Sequence, residues 1–265
     1  KHTVRPGDML AMDYWIVRRC QLLQTELMSH YNDYNFLGVY QKIHNFCVVE
    51  LGGFYLDVIK DRQYTLKADS LARRSTQTAM FHILEMFSRL IAPIISFTAD
   101  EIWENIPGDR VDSVFLTNFS DAVEHFPELS GLNDRYWSTL MEIRSAVNKE
   151  LEIKRSEKVI GSGLSAEIEL FCDVNLMADL MRLEAELRFV LIVSKASVYD
   201  IDQADSSAKQ TEISGLMIRV EASKFEKCDR CWHHHVSVGK SSDHPLLCER
   251  CICNVEGHGE SRKFA

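Results

Sequence analysis

Four cysteines constrain this chain more than any other feature. Cys228, Cys231, Cys248 and Cys251 lie in the run Lys-Cys-Asp-Arg-Cys-Trp, sixteen intervening residues, then Cys-Glu-Arg-Cys, which is C-x2-C-x16-C-x2-C. Each short pair turns two thiolates towards one point, and the loop brings in the second pair, so the spacing predicts a closed tetrahedral Zn²⁺ site. A tail of 42 residues from Lys224 onward buries little core of its own. The metal is therefore expected to supply much of its folding free energy. The opposing readings are a pair of disulfides or a redox C-x2-C. Cys253 and the run His233, His234 and His235 adjoin the site as competing ligands, but four cysteines already fill a tetrahedron, and the histidines read as solvated loop residues. Trp232 follows the second cysteine, flanked by Arg230 and, beyond the metal, Arg250. It either stacks on an unpaired RNA base with cationic edges around it or packs over the tail as its one large hydrophobe.

The 265 residues, 46% hydrophobic, suffice for two or three domains. Cys20, Cys47 and Cys172 stand singly in apolar surroundings and read as buried thiols. The sequence Lys-His-Thr-Val-Arg-Pro-Gly lacks the apolar core of a signal peptide, and no apolar run approaches membrane-spanning length. A reducing cytoplasm, which favours metal over disulfide, is the expected compartment. The net charge of −9 argues against a general nucleic-acid binder. The tail, with seven Lys/Arg and six Asp/Glu, allows only local, shape-driven contacts to RNA.

Up to about residue 120 the chain reads as helical. Met9, Leu10, Met12, Trp15, Ile16, Cys20, Leu23, Leu27 and Met28 recur at helical spacing after a plausible N-cap at Asp8. A second stripe runs from Phe36 through Tyr40 and Phe46 to Val58. Gly52 and Gly53 interrupt it, which implies close approach of a neighbouring helix or a kink. A third helix, from about 69 to 92, carries Met80, Ile83, Leu84, Phe87, Leu90 and Ile91 on its core face, and Arg73, Arg74 and Gln77 on its first two turns. Thr98-Ala-Asp-Glu101 has the form of a capping box, opening a short helix with Ile102 and Trp103. Long helices joined by short links predict an antiparallel bundle.

After a mixed stretch from 111 to 131, a helix is expected from about 133 to 158, its charged end reading as a solvated face. The period then changes to two. Strands are expected at 166–172, at 189–193 with a continuation at 196–199, and at 216–221, with a helix at 175–186 and a mobile polar loop at 200–210. This is a small α+β unit. The predicted fold class is thus mainly α: an antiparallel helical bundle (1–120), a long helix with a small α+β junction domain (121–222), and a four-cysteine zinc-binding tail (223–265). No P-loop, G-x-G-x-x-G, G-x-S-x-G or H-E-x-x-H occurs, and no acid/base pair stands out, so no catalytic residue is expected.

Several stretches together resemble one family. Lys60-Asp-Arg-x-Tyr64, Arg73-Arg-Ser-x-Gln-Thr78 and Ala92-Pro-Ile-x-x-Phe-Thr-Ala-Asp-Glu-Ile-Trp103 are similar to the anticodon-binding helical domain of the class I aminoacyl-tRNA synthetases for Ile, Val, Leu and Met. Val147-Asn-Lys-Glu-Leu-Glu and Val159-Ile-Gly-Ser-Gly-Leu-Ser-Ala-Glu are similar to the junction helix and strand that follow it. Lys227-Cys-Asp-Arg-Cys-Trp232, Cys248-x-Arg-Cys251 and Gly259-Glu-Ser-Arg-Lys-Phe-Ala265 resemble the C-terminal zinc element of bacterial-type isoleucyl-tRNA synthetases. The family's His-x-Gly-His and Lys-Met-Ser-Lys-Ser signatures, which bind ATP and the adenylate, are absent, as is the editing domain. The Gly161-Ser-Gly163 turn has glycine where the family often has serine. The resemblance therefore implies a C-terminal portion of such a synthetase, one that does not itself use ATP to join isoleucine to its tRNA. It further implies a monomer whose partner is the isoleucine tRNA, one structural zinc on Cys228, Cys231, Cys248 and Cys251, and tRNA contacts from Trp232, Arg230, Arg250, Arg73, Arg74 and Gln77. Arg73 and Arg74 read equally as ion pairs within the bundle. A zinc-stapled scaffold without RNA binding and a C-x2-C redox protein are the competing readings.

Overall fold

The computed structural model describes residues 3–119 and 125–265. The boundary expected at 120–121 lies outside the described residues. In chain order the helices begin with α1 (Ala11–Asn32), α2 (Phe36–Asn45), a π-helical stretch (Phe46–Tyr55), α3 (Leu56–Val58), α4 (Lys60–Thr65), α5 (Leu71–Ile91), α6 (Ser96–Asn105) and α7 (Asp134–Ser156). Then come β1 (Ala166–Cys172), α8 (Val174–Met181), α9 (Leu187–Leu191), β2 (Lys195–Asp200), β3 (Lys209–Gln210), β4 (Leu216–Ala222) and α10 (Glu249–Val255). Two compact units result. The first comprises residues up to Asp57 together with Leu71–Asp134. The second joins Val58–Ser70 to Arg135–Ala265. The segment containing α4, expected within the bundle, thus clusters with the C-terminal part. Among the described residues no helix is long and apolar enough to cross a membrane.

The first unit is an antiparallel helical bundle in which α1 packs on α2 and α5, and α5 on α6. Met12, Trp15, Ile16, Cys20, Leu23 and Leu27 of α1 are buried as their spacing requires, whereas Met28 is exposed. Asp8 does not cap this helix. It sits in a single 3-10 turn and accepts a hydrogen bond from Arg5 Nε at 2.8 Å, while the Leu10 N–H at the helix entry donates to Ser75 Oγ at 2.9 Å. Nor does Thr98 open α6, which begins at Ser96. Asp100 instead accepts hydrogen bonds from Ser113 Oγ (2.7 Å) and the Val114 N–H (2.9 Å). At α1 a tertiary acceptor, Ser75 Oγ, takes the N–H that a local cap would have taken.

The second stripe departs most from expectation. Phe36 and Tyr40 are exposed, and the α-helix gives way to ten π-helical residues. There the buried positions are Phe46, Glu50, Phe54 and Tyr55, a longer step than 3.6 residues. The wider winding turns Glu50 towards α1, where it meets Arg19 Nε at 2.7 Å. Gly52 and Gly53 serve this winding, not a neighbouring helix. A Cβ at 52 would lie 2.8 Å from the Cys47 carbonyl oxygen, and one at 53 would lie 2.9 Å from that of Val48, each five residues back. Gly→Ala in an ordinary helix interior stabilises by about 1 kcal/mol. Here the sign reverses: Gly52→Ala destabilises the bundle by about 1–3 kcal/mol, as overpacking does. A raised urea midpoint for that variant would disprove the π-helical assignment.

The second unit holds α7 and a four-stranded sheet of order β2-β1-β4-β3. β1 is parallel to β2 (Ile168 beside Ala196) and antiparallel to β4 (Ile168 beside Val220). Ala166, Ile168 and Leu170 alternate into the core, while α8 covers β1 and β2. The run 189–193, expected as a strand, is mostly helix: α9 ends at Leu191, and its C-cap Ile192, with a φ of 55°, turns the chain towards β2. A short apolar run buried all round satisfies either conformation, so its period could not decide. The stretch expected as a mobile loop carries local structure. Asp200 caps a 3-10 turn, Asp205 binds the Ser207 N–H at 2.8 Å and Arg219 Nη1 at 2.7 Å, and β3 pairs with β4. The charged end of α7 is a solvated face, with Lys154–Glu157 and Arg155–Glu152 pairs one turn apart. Cys20 and Cys172 are buried as expected, but Cys47 is half-buried.

Candidate metal centre and nucleic-acid interface

Cys228 and Cys231 sit on a tight turn. It is closed by the Trp232 N–H donating to the Cys228 carbonyl (2.8 Å) and the Cys228 N–H donating to the His233 carbonyl (2.9 Å). Cys248 caps α10 and Cys251 lies in its first turn. The two halves meet through the Asp229 N–H, which donates to the Leu246 carbonyl at 3.1 Å. All four thiols are buried, and their sulfurs lie within 4.8 Å of one another. Cys231 Sγ stands 3.7 Å from Cys248 Sγ. A disulfide needs about 2.05 Å. A tetrahedron with Zn–S of about 2.3 Å has an edge of about 3.8 Å. The cluster therefore fits a tetrahedral dication and not a disulfide. The Cys248 N–H donates to Cys228 Sγ at 3.3 Å, the kind of outer hydrogen bond that orients a ligating sulfur.

The thiols also share their protons unequally. Hydrogen bonds from Cys248 and Cys251 hold Cys231 far below the ordinary thiol range. The bond to Cys231 pushes Cys248 up to about 11, and bonds to Cys231 and Cys248 push Cys251 well above the ordinary range. Four sulfurs this close sustain few negative charges without a cation between them.

Of the neighbouring histidines, His233 is not solvated, His234 and His235 are half-buried, and none is among the clustered ligands. His233 is buried, its Nδ1 3.2 Å from the Cys231 carbonyl and its ring edge-on to Phe189. His234 Nδ1 meets the Phe225 carbonyl at 2.6 Å, and His235 Nδ1 meets Ser237 Oγ at 2.7 Å. Cys253 is half-buried and outside the cluster. Val238 and Leu247, not Trp232, pack against the sulfurs. Trp232 is 59% exposed, with Lys227 Nζ 5.2 Å from its ring centroid. Its φ of 66° is a left-handed conformation that bulky side chains rarely adopt, and the closed turn imposes it.

The predicted cationic neighbours are placed differently. Arg230 donates through Nη1 to the Thr65 carbonyl. Arg250 is spent on Asp61: its Nη1 and Nη2 meet the two carboxylate oxygens at 2.7 Å each, and its side chain is only 11% exposed. Arg73, Arg74 and Gln77 belong to the first unit, on α5. Gln77 is exposed and the two arginines are half-buried. The sequence reading missed Asp61, Phe189, Glu260 and Arg262 as structural partners of this site. Arg262 stacks on Phe189 at 3.4 Å and meets Asp61 and Glu260. Asp61 and Arg262 were visible only as parts of the two motifs that carried the resemblance. Burial alone would raise the Asp61 carboxyl, but the hydrogen bond and charge of Arg250, then the charge of Arg262, outweigh it and hold the group well below the usual carboxylate range.

Comparison with known proteins bears on both parts of the chain. The anticodon-binding domain of tRNA ligase matches residues 13–170. A zinc finger found in FPG and IleRS matches residues 225–252, which contain all four cysteines. Isoleucine–tRNA ligase of Pseudomonas fluorescens (strain Pf0-1) is 54% identical over 258 residues, covering 97% of this chain and 27% of that protein. The isoleucine–tRNA ligases of Pseudomonas putida (strain W619) and Marinomonas sp. (strain MWYL1) are 54% and 53% identical, over 98% and 97% of this chain. The chain thus spans about a quarter of the length of the curated relatives it matches. With a helical bundle followed by a four-thiol knuckle, and a match over residues 13–170, the chain belongs to the family of anticodon-binding domains of tRNA ligases.

Proposed function

We propose that this chain is the part of an isoleucine–tRNA ligase that grips the anticodon region of the isoleucine tRNA. In the full-length enzyme, ATP use and attachment of the amino acid belong to other domains. The bundle (1–120) supports the anticodon stem, the junction (121–222) links it to the tail, and the knuckle (223–265) closes over the anticodon loop. These functional segments cut across the two compact units.

The observation that carries the reading is Trp232: an exposed indole, held in a strained turn, with a lysine over one side. It has the form of a platform for an unpaired base. Cys228, Cys231, Cys248 and Cys251 hold one zinc ion, which fixes that turn and takes no part in catalysis. Arg230, Arg73, Arg74 and Gln77 contact the RNA backbone, and Arg250 serves from behind by holding the knuckle. Gripping the loop far from the reacting end helps position the acceptor strand.

Trp232→Ala weakens binding of isoleucine tRNA by about 1–3 kcal/mol, as expected for one lost base stack, with metal content unchanged. An electrophoretic shift against a control tRNA tests both claims. Equal retardation of the two tRNAs removes the isoleucine specificity, equal binding by the variant removes the stacking role of Trp232, and retardation of neither tRNA removes the reading and leaves a zinc-stapled scaffold.

A further inference from the structure

The knuckle has little with which to orient itself. Its own core is four cysteines with Val238 and Leu247 against them, too small an apolar surface to select one docking angle. Polar contacts do the selecting, and they converge on one carboxylate. Asp61, on α4, accepts Arg250 Nη2 on Oδ1 at 2.7 Å, and Arg250 Nη1 (2.7 Å) and Arg262 Nη2 on Oδ2. Glu260 Oε1 completes the set, receiving Arg262 Nε and Nη2 at 2.6 Å and Arg250 Nη1 at 3.3 Å. These four side chains pair two guanidinium groups with two carboxylates, and Arg188, 4.5 Å from the Phe189 ring centroid, lies beside them. All four side chains are 15% exposed or less.

Phe189 floors the cluster. Arg262 lies 3.4 Å and Arg250 5.0 Å from its ring centroid. Beyond it, the backbone N–H groups of Lys263, Phe264 and Ala265 all donate to the Glu186 carboxylate, at 2.8, 2.9 and 2.8 Å. Lys67 Nζ reaches the Gly257 carbonyl at 3.1 Å, and Arg230, two residues before Trp232, reaches the Thr65 carbonyl. A buried ion cluster of this kind adds little stability over apolar residues of the same volume. Its directional bonds do single out one arrangement, because a guanidinium meets a carboxylate edge-on in one plane.

We propose that Asp61, Arg250 and Arg262 form a positioning latch that sets the knuckle on α4, and that presentation of Trp232 to RNA depends on this latch. The second clause rests on the function proposed above. The latch acts through geometry and not through the metal. Losing it leaves the four cysteines loaded while the platform swings out of place.

Two variants of the full chain test it. Asp61→Asn keeps the shape and removes the charge that the two arginines share. Arg250→Lys keeps the charge and removes the two-point bond, so a purely electrostatic role leaves it silent. Both are expected to retain one zinc per chain and the cobalt(II) absorption spectrum of a tetrathiolate site. Amide exchange over 249–265 is expected to quicken by tenfold or more, and isoleucine tRNA to bind on the order of tenfold more weakly. Adding Trp232→Ala to either variant costs less than it does in the parent chain, since the indole is already misplaced. Unchanged exchange and tRNA affinity in both variants overturn the latch. So does loss of zinc in both, which would make these residues part of the metal site's folding. If the parent chain binds no tRNA, the function reading fails on its own. Exchange then decides the latch: faster over 249–265 with zinc retained keeps it, unchanged exchange overturns it.

Discussion

Cys228→Ser empties the metal site and melts the knuckle, while the helical bundle stays folded. Binding of structural zinc to a four-ligand finger supplies roughly 10–16 kcal/mol near neutral pH, as much as an entire small domain has in stability. Against that, the knuckle's own apolar contacts are few. Removing one sulfur therefore removes the reason for residues 225–257 to hold their turns. Zinc analysis should fall from one ion per chain to below about 0.1, and amide protection across the knuckle should be lost. Far-ultraviolet circular dichroism should keep most of its helical signal, because α1, α2, α5 and α6 draw their stability from another core. Collapse of that signal would show that the bundle depends on the metal. The linkage to pH has a definite sign. Two of the four thiols hold their protons above the ordinary range, so loading the site releases protons, and zinc affinity falls as pH falls.

Trp103→Ala should cost the bundle about 3–5 kcal/mol, the range for deleting a buried aromatic side chain. Trp103 is 2% exposed and lies in a cluster with Ile91, Ala99, Ile106 and Val114. Its indole N–H donates to the Val111 carbonyl at 2.9 Å. Arg89 and Arg110 cover the ring at 4.6 and 4.7 Å, and both are tied to Glu85, at 2.9 and 2.8 Å. Truncation thus opens a cavity and strips two largely buried guanidinium groups of their aromatic partner. A fall of roughly 10 °C or more in the melting midpoint is expected, with the urea slope unchanged. Trp103→Phe keeps most of the volume and leaves the Val111 carbonyl unpaired, at about 1–2 kcal/mol. If both variants melt together, packing contributes little and the indole hydrogen bond carries the effect.

Some of this architecture was legible in the residues alone. The four cysteines announced their cluster because each pair is a local turn, and the length of the loop between pairs scarcely matters. The buried faces of α1 and α7 followed the helical period, and β1 and β4 the alternation of a half-buried strand; on α5 Ile83, Leu90 and Ile91 are buried as expected, but Leu84 is exposed and Met80 and Phe87 are half-buried. Where a side chain had two comparable local options, sequence reading went astray. Asp8 and Thr98 looked like helix caps, yet Ser75 takes the N–H at the entry of α1, and α6 opens two residues before Thr98. Run 189–193 is apolar enough for strand or helix, and the folded chain winds it as helix up to Leu191. The π-helical winding left a sign in Gly52 and Gly53, but its consequence, Glu50 turned to meet Arg19 of another helix, shows only in the tertiary structure.

What the chain's own order determined, then, is every feature built within one turn of itself: the thiol pairs, the helical and strand periods, and the family motifs. The tertiary structure decided which charged groups face each other and which stay exposed. Arg250 reads as an RNA contact until Asp61, 189 residues away, is seen to take both its nitrogens. Trp232 reads equally as core or as a stacking platform until the cluster proves to be packed by Val238 and Leu247. The reason is physical. Spacing specifies what a segment buries against itself, whereas the partner of a lone charge or a lone ring is chosen only when distant segments meet and water is excluded between them.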